Sequence, residues 1–464
     1  MSDAIIETII DNVRKRDDKP RTFAVVTYGC QMNARDGETI ARLLTACGLT
    51  QADRADAEFI LFNTCCVRDN AERRALGNIL RAAHEKRSRP EMMIAVCGCM
   101  AQESGGGAGR TFPGADIVFG THNIKRLPEY LLRALDERQP VADIWEQAVG
   151  TEDIAEGIGG AREHSHKAFV IAMRGCDNMC SYCIVPYVRG RERSRPMDEI
   201  RRECEALLAS GVKEITLLGQ NVNSYGAGVE GGATFASLLR VVAGLGAPRV
   251  RFMTSHPKDL SDELIDTMAA VPAVCNHIHL PAQSGSDRIL ALMNRRHTRA
   301  RYLERVARLR EAVPDVGITT DLIVGFPGET ESDFEDTLVL AEEARFDAAY
   351  TFVYSPRTGT PAAALPDRVP EGVSRERIAR LIAAQEARTA SVFAGLIGSE
   401  HIVLVDEAAR RGSGYVSGKV ERGMGVTLPG GEEMIGRFVP VRITSAGHNT
   451  LRGTPLDDRV TASR

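Results

Sequence analysis

The chain has 464 residues, too many for one ordinary domain and enough for two or three with real cores. Its formal charge of −4 carries no global basic signature for nucleic acid, so any RNA contact must rest on local patches. The start is charged and lacks an apolar signal region, and no apolar run reaches the roughly eighteen residues of a membrane span; eleven cysteines in such a chain read as cytosolic metal ligands and buried thiols, not a disulfide framework, in a cytoplasmic protein.

In the N-terminal third, three short strand-like runs each stop at a cysteine. Thr22–Thr27 leads to Cys30, Glu58–Phe62 to Cys65, and Met92–Val96 to Cys99. Helical patterns intervene: Ile40, Leu43, Leu44 and Cys47 recur at helical spacing, as do Leu76, Ile79, Leu80 and Ala83. A further strand, Asp116–Phe119, precedes a helix around Leu127–Leu135. The β-α repetition predicts an α/β domain over 20–137 with a doubly wound parallel sheet. Ligands of such sheets bind above the strand C-termini, where the three cysteines can converge. Three thiolates there suit an iron–sulfur cluster with one open iron; ordinary buried thiols are the alternative. Cys66 and Cys97 are adjacent rivals that spacing does not exclude. The glycine-rich Ser104–Arg110 reads as a flexible loop.

Residues 138–165 lose apolar periodicity and read as a linker, with His164 and His166 solvated. Over 166–390 strands and helices alternate. The strands are Ala168–Met173, Glu214–Leu218, Val250–Thr254, His277–Leu280, Thr319–Val324 and Ala348–Val353, with helices such as Met197–Ala209 and Tyr302–Ala312. Six β-α units predict a partial TIM-type barrel, with its chemistry at the strand C-termini. After the first strand come Cys176, Cys180 and Cys183, at C-x-x-x-C-x-x-C spacing. One loop can thus hold three irons of a 4Fe–4S cube and leave the fourth open. A zinc knuckle would use paired C-x-x-C units completed by a fourth Cys or His, and no such pair is evident. The other strands lead into polar stretches at Gly219–Tyr225, Ser255–Pro257, Pro281–Ser286, Gly325–Thr330 and Tyr354–Arg357, a polar rim around the open cluster. Arg189–Arg195 carries four arginines in seven residues, suited to an RNA backbone or a carboxylate.

Arg375–Ala390 reads as a helix. Short alternating runs follow at His401–Val405, Tyr415–Val420, Met434–Val439 and Val441–Thr444, the pattern of a small β-barrel over 395–458. Its balanced charge does not itself indicate RNA.

The cysteine loop, with Tyr182 before its last cysteine, resembles the radical S-adenosylmethionine (SAM) enzymes. Gly29-Cys-Gln-Met-Asn33, Asn63-Thr-Cys-Cys-Val-Arg68 and Gly98-Cys-Met-Ala-Gln102 resemble the N-terminal domain of the methylthiotransferases, a radical-SAM family. The barrel stretches resemble that family too. The C-terminal run, with Arg442-Ile-Thr-Ser and Leu451-Arg-Gly453, resembles the RNA-binding TRAM domain. The resemblance implies an enzyme with two 4Fe–4S clusters, one on Cys176, Cys180 and Cys183 and an auxiliary one on Cys30, Cys65 and Cys99. It implies SAM near Tyr182, Gln220, Ser255, Gln283 and Gly325, and no catalytic residue separate from the cluster ligands. It implies a tRNA anticodon arm as partner, flavodoxin or ferredoxin as electron donor, no membrane and a monomer. The Gly29–Asn33 form is closest to the branch that adds a methylthio group at C2 of isopentenylated adenine beside the anticodon. The alternatives are a threonylcarbamoylated adenosine, a ribosomal-protein aspartate, or a non-catalytic metal protein that binds RNA.

Overall fold

The computed structural model describes residues 3–66, 69–107, 111–146, 165–226, 229, 231–409, 412–448 and 450–456. The chain divides into two compact units: Met1–Glu163 with Met173–Asp177 and Cys183–Arg195, and His164–Ala172 with Asn178–Tyr182 and Pro196–Arg464.

The first unit is built on six parallel strands, β1 (Thr22–Thr27), β2 (Thr50–Gln51), β3 (Phe59–Thr64), β4 (Met93–Gly98), β5 (Ile117–Phe119) and β6 (Val141–Asp143). They lie side by side in the order β2-β1-β3-β4-β5-β6. The central β3 reads Phe-Ile-Leu-Phe-Asn-Thr and is buried throughout. A strand covered on both faces needs a continuous apolar run rather than alternation. Ile60, Phe62, Ile94 and Val96 enter one core with Ala75 and Ile79 of the helix Asp69–Glu85. Phe59, Leu61, Ala95 and Cys97 enter the other with Ile40 and Leu44 of Gln31–Ala46 and Leu127 and Leu131 of Leu127–Glu137. The structure adds a helix, Asp3–Arg14, whose Val13 joins that second core. It also adds β6, inside the stretch read as linker; residues 147–164 of that stretch, with His164, lie outside the described residues. Gly105–Gly107 of the glycine-rich insert forms a short 3-10 turn. A two-stranded antiparallel piece, β8 (Met173–Arg174) with β9 (Arg193–Ser194), also belongs to this unit.

The second unit carries the β-α repeat. Strands β7 (Lys167–Ile171), β10 (Glu214–Leu218) and β11 (Arg249–Phe252) form one parallel sheet in the order β11-β10-β7. Strands β12 (His277–His279), β13 (Gly317–Val324) and β14 (Ala348–Val353) form another in chain order. An isolated parallel bridge pairs Val250 of β11 with Val274, just before β12, and Ser255 N–H donates to the His279 carbonyl, so β12 follows β11 in a six-stranded partial barrel. The capped helices begin as their sequences dictate. At Thr330 the hydroxyl accepts from Asp333 N–H while the Asp333 carboxylate accepts from Thr330 N–H, a reciprocal cap that opens Glu331–Ala344.

The chain ends in a closed five-stranded barrel of β15 (Glu400–Ala408), β16 (Tyr415–Lys419), β17 (Gly425–Pro429), β18 (Phe438–Ala446) and β19 (Leu451–Pro455), in the order β15-β16-β17-β19-β18. The runs read as two strands around Pro440 are one, β18, with Met434 in a preceding 3-10 turn. Pro440 keeps its place because only its carbonyl is needed, and that carbonyl accepts from Leu456 N–H. His166, expected in solvent, is buried with Nε2 3.7 Å from Asp406 of this barrel. Among the described residues no helix is long and apolar enough to cross a membrane.

Two buried arginines at the start of β11 hold the barrel through its main chain. Arg249 donates to the carbonyls of Ile402 and Lys419, and Arg251 to those of Val420 and Glu421 while pairing with buried Glu214 at 2.8 Å. Removing one member of a buried pair strands the other charge. Arg251→Met is therefore expected to destabilise the second unit by about 3–5 kcal/mol, seen as a lower urea midpoint and faster proteolysis in the C-terminal barrel.

Candidate active site

Strands β1, β3 and β4 are parallel neighbours, so their C-terminal ends share one edge of the first sheet. Cys30 caps the helix Gln31–Ala46, Cys65 follows β3 directly, and Cys99 opens the helix Cys99–Ser104. Cys65 lies against Gly29: a Cβ on Gly29 would come within 2.4 Å of the Cys65 Cβ and 2.6 Å of its Sγ. Gly29 also holds φ at +109°, a conformation that side chains disfavour. Of the rivals, Cys97 sits apart from these thiols, whereas Cys66 shares a core with Cys99. Cys97 points into the core on the opposite face, where burial pushes its thiol up. Cys66 is embedded in the near core and donates to Cys99, which with burial pushes Cys66 up and keeps it protonated. That donated hydrogen bond, with the Arg189 guanidinium alongside, pulls Cys99 down to about 6 against its burial. Burial pushes Cys30 up, with Arg189 opposing.

Behind these thiols stands a buried charge network within the same unit. Asp36, on the helix that Cys30 caps, accepts from Arg174 at 2.8 Å through one carboxylate oxygen and from Arg189 at 2.7 Å through the other. Arg189 also donates to Asn33 Oδ1 at 2.6 Å. Asn33 in turn donates to the carbonyls of Tyr28 and Thr64, tying the ends of β1 and β3 together. The two guanidiniums hold the Asp36 carboxyl below the usual range despite full burial. Of Arg189–Arg195, read as suited to an RNA backbone or a carboxylate, Arg189 thus serves a carboxylate of the protein itself. Arg189 and Arg195 are buried, and Arg191 is the exposed one, its side chain at 75%.

Arg174 and Arg189 flank the C-x-x-x-C-x-x-C loop. In the first unit Cys176 N–H donates to the Gly190 carbonyl at 3.1 Å, and Asp177 and Glu192 exchange hydrogen bonds between each carboxylate and the other's N–H. In the second unit Ser181 N–H donates to the Met293 carbonyl, Ser181 Oγ to that of Leu292, and Asn294 Nδ2 to that of Met179. Met179 and Asn294 both adopt positive φ, so the bend is held by contacts rather than by propensity. Arg295 Nη1 lies 3.5 Å from Cys180 Sγ. Tyr182 packs against the apolar cluster of Ile289, Met293 and Phe326.

The rim of the partial barrel carries the remaining candidates. Gln220 follows β10, Ser255 β11, Gln283 β12 and Gly325 β13, all at strand C-termini. Ser255 is buried and its Oγ has no hydrogen-bond partner; the buried hydroxyl of Tyr354, just past β14, has none either. Buried hydroxyls left this way suit a polar ligand. Thr254 and Gln283 hold positive φ, at 67° and 71°. Gln283 is fixed there by its N–H to the Asp321 carbonyl and its own carbonyl to Ile323 N–H. Gly325 is explained by packing, since Ser374 fills the space over its α-carbon. Among the described residues no group of three His, Cys, Asp or Glu side chains is placed to hold a single metal ion. A 4Fe–4S cube asks for looser convergence because each thiolate takes a different iron. In the C-x-x-x-C-x-x-C loop a guanidinium, that of Arg295, stands beside the Cys180 sulfur.

Residues 170–341 match the Radical SAM superfamily, 22–120 the uncharacterized protein family UPF0004, and 396–456 the TRAM domain. The tRNA-2-methylthio-N(6)-dimethylallyladenosine synthase of Acetivibrio thermocellus is 45% identical over 449 residues, 96% of this chain and 93% of that protein. The chain belongs to the tRNA-2-methylthio-N(6)-dimethylallyladenosine synthase family. Synthases of Syntrophomonas wolfei, 47% identical over 94% of this chain and 98% of theirs, and Clostridium tetani, 44% over 97% and 99%, agree. The radical S-adenosylmethionine methyltransferase TsrM of Kitasatospora setae shares the fold, with TM-score 0.56 at 15% identity over 74% of this chain and 77% of that one.

In this synthase, Asp36, Arg174 and Arg295 were missed by sequence reasoning. Arg174 stands two residues before Cys176, the one available signal; Asp36 lies one helical turn beyond Asn33 and has none. The contact at Gly29 generates a test. Gly29→Ala should drive Cys65 from the sheet edge, so that reconstituted protein binds about half the parent's iron, read by iron and sulfide analysis, while SAM cleavage persists.

Proposed function

We infer that this chain is a radical-SAM tRNA methylthiotransferase that converts N6-isopentenyladenosine next to the anticodon into its 2-methylthio derivative. The match to such synthases over nearly the whole chain carries this reading. Its cofactors are two 4Fe–4S clusters and SAM. Cys176, Cys180 and Cys183 hold one cluster, and Cys30, Cys65 and Cys99 the auxiliary one. When bound, these groups supply the one-electron chemistry, sulfur and methyl group that replacement of an aromatic C–H requires. An adenine C2–H offers no acidic handle, so no side chain is asked to act as a general base there.

The protein's own share is position and polarity. Arg295 and Arg189 compensate the negative charge of the two thiolate sets. Ser255, Gln283 and the Tyr354 hydroxyl offer polar contacts to SAM, with Gln220, Tyr182 and Gly325 beside them. The rigid rim backbone at Thr254 and Gln283 limits reorganisation on binding. The target base leaves its stack to reach the site. The C-terminal barrel grips the anticodon arm, whose loop bases are single-stranded and readable, and its exposed Arg437 and Arg452 suit phosphate contacts. A flavodoxin or ferredoxin supplies electrons, and the protein works as a monomer in the cytoplasm, where its tRNA substrate is.

Anaerobically reconstituted protein, incubated with SAM, reductant and tRNA bearing isopentenyladenosine, should yield a methylthio mass gain on that nucleoside by mass spectrometry. Replacing Cys176, Cys180 or Cys183 by alanine should abolish SAM cleavage. Cys65→Ala should retain cleavage and lose the mass gain. SAM cleavage with no gain on the nucleoside in the parent protein would remove the substrate assignment, and product from Cys65→Ala would remove Cys65 from the auxiliary set.

A further inference from the structure

The two faces of β13 and β14 differ in kind. On one lie Ile318, Leu322 and Val324, all fully buried. The other carries Thr319 and Asp321 of β13 and, in register with Asp321, Tyr350 of β14. His279 of β12 stands opposite Thr319 and closes on this set. Its Nδ1 hydrogen-bonds with the Thr319 hydroxyl at 3.0 Å, and its Nε2 lies 3.5 Å from Asp321 Oδ2. The His279 and Tyr350 rings cross at 69° with centroids 5.8 Å apart. Two residues further along, the same face holds Ile323 and Phe352, which pack with Tyr182 of the cysteine loop. Two residues of strand span about 7 Å. The polar set therefore lies one layer below the loop that carries Cys180 and Cys183. A barrel interior packed for stability alone is filled with branched apolar side chains. Here a carboxylate, an imidazole and a phenol take their place, and two of them stay open: the Asp321 side chain is 28% exposed and Tyr350 53%. Among the described residues none hydrogen-bonds to Asp321 Oδ1.

We propose that Tyr350 and Asp321 form the seat of the target adenine, Tyr350 lying against the ring face and Asp321 accepting the N6–H. The proposal rests on the function inferred above and names the residues that read its substrate. An ionised carboxylate only accepts hydrogen bonds. The base of isopentenyladenosine has one N–H donor, at N6; its N1, N3 and N7 are all acceptors. The carboxylate therefore meets that base at a single atom, and it meets a base without the N6–H at none. An extruded base is held by stacking on an aromatic side chain together with hydrogen bonds to its edge, and the two open groups supply one of each. His279 and Thr319 fix the direction of the carboxylate as a hydrogen-bonded network. The SAM contacts inferred above lie past the strand ends, whereas this set lies within the strands. β14 also ends the order of its sheet, so Tyr350 stands at an open edge where a base can enter from the side.

The test uses full-length, cluster-loaded protein with SAM, reductant and a synthetic anticodon stem-loop. The stem-loop bears either isopentenyladenosine or its analogue with oxygen in place of N6–H. Methylthio product, read by mass spectrometry, gives kcat/KM for each RNA. The parent should prefer the N6–H substrate about 10–150-fold, the range for a hydrogen bond to a charged group, and D321A should lose that preference. Y350A should lower kcat/KM about 5–150-fold, the range for stacking a base on an aromatic ring, while Y350F stays near the parent. A D321A protein that still prefers N6–H, or a Y350F as impaired as Y350A, would overturn the proposal. SAM carries an adenine too, and its cleavage without RNA separates the two. A raised KM for SAM in both D321A and Y350A would put SAM in the seat and overturn the proposal, while the function stands. Should D321A hold no cluster, the exposed Tyr350 decides through the same comparison of Y350A with Y350F. A parent that makes no product from isopentenyladenosine would remove the inferred function, and the proposal with it.

Discussion

Asp36 is one carboxylate shared by two guanidiniums that lie far away in sequence, 138 and 153 residues on. Each arginine flanks one side of the cysteine loop, so this single side chain anchors both of the loop's arms within the first unit. Burying three charges together is costly, and the two ion pairs to Asp36 offset that cost. Take Asp36 away and two cations are left facing each other beside the thiols of the sheet edge. The geometry of that edge, the entry and exit of the loop, and the electrostatics around Cys99 therefore depend on one interaction.

The thiols themselves are sorted by the sheet. Strand alternation sends Cys97 into one core, and the next turn of chain brings Cys99 out at the edge. Cys66 stays in the near core and serves Cys99 as a hydrogen-bond donor. Proximity in sequence is thus a poor guide to chemistry here. Adjacent cysteines end in different environments, and distant ones share an edge because parallel strands end together. The barrel rim follows the same logic, gathering Gln220, Ser255, Gln283 and Gly325 from four strands.

What the sequence disclosed follows from the range of the forces involved. Thr22–Thr27, Glu214–Leu218, Ala348–Val353 and Met197–Ala209 were readable to the residue because apolar runs and helical periodicity are local signals. The cysteine spacings were readable because one loop can close around one centre. β17 and β19 were not, since glycine-flanked short strands in a small barrel carry few apolar residues. For Arg189 the sequence left an RNA backbone and a carboxylate open, because the carboxylate it meets, Asp36, lies 153 residues away. Asp36 carried no signal at all: its meaning lies wholly in contacts that the fold creates.

The joint between the partial barrel and the C-terminal barrel has a different character. Arg249 and Arg251 grip main-chain carbonyls of Ile402, Lys419, Val420 and Glu421, and the Glu421 carboxylate adds a looser pair 3.7 Å from Arg249. Every residue type presents the same carbonyl, so these four hydrogen bonds are indifferent to the side chains at those positions. Substitution can therefore reshape the small barrel's outer face while these carbonyl contacts stay the same. The two arginines work as a socket for interchangeable heads, while the side-chain pairs of Asp406 with Lys167 and of Arg422 with Asp347 are the part of the mounting that substitution can reach.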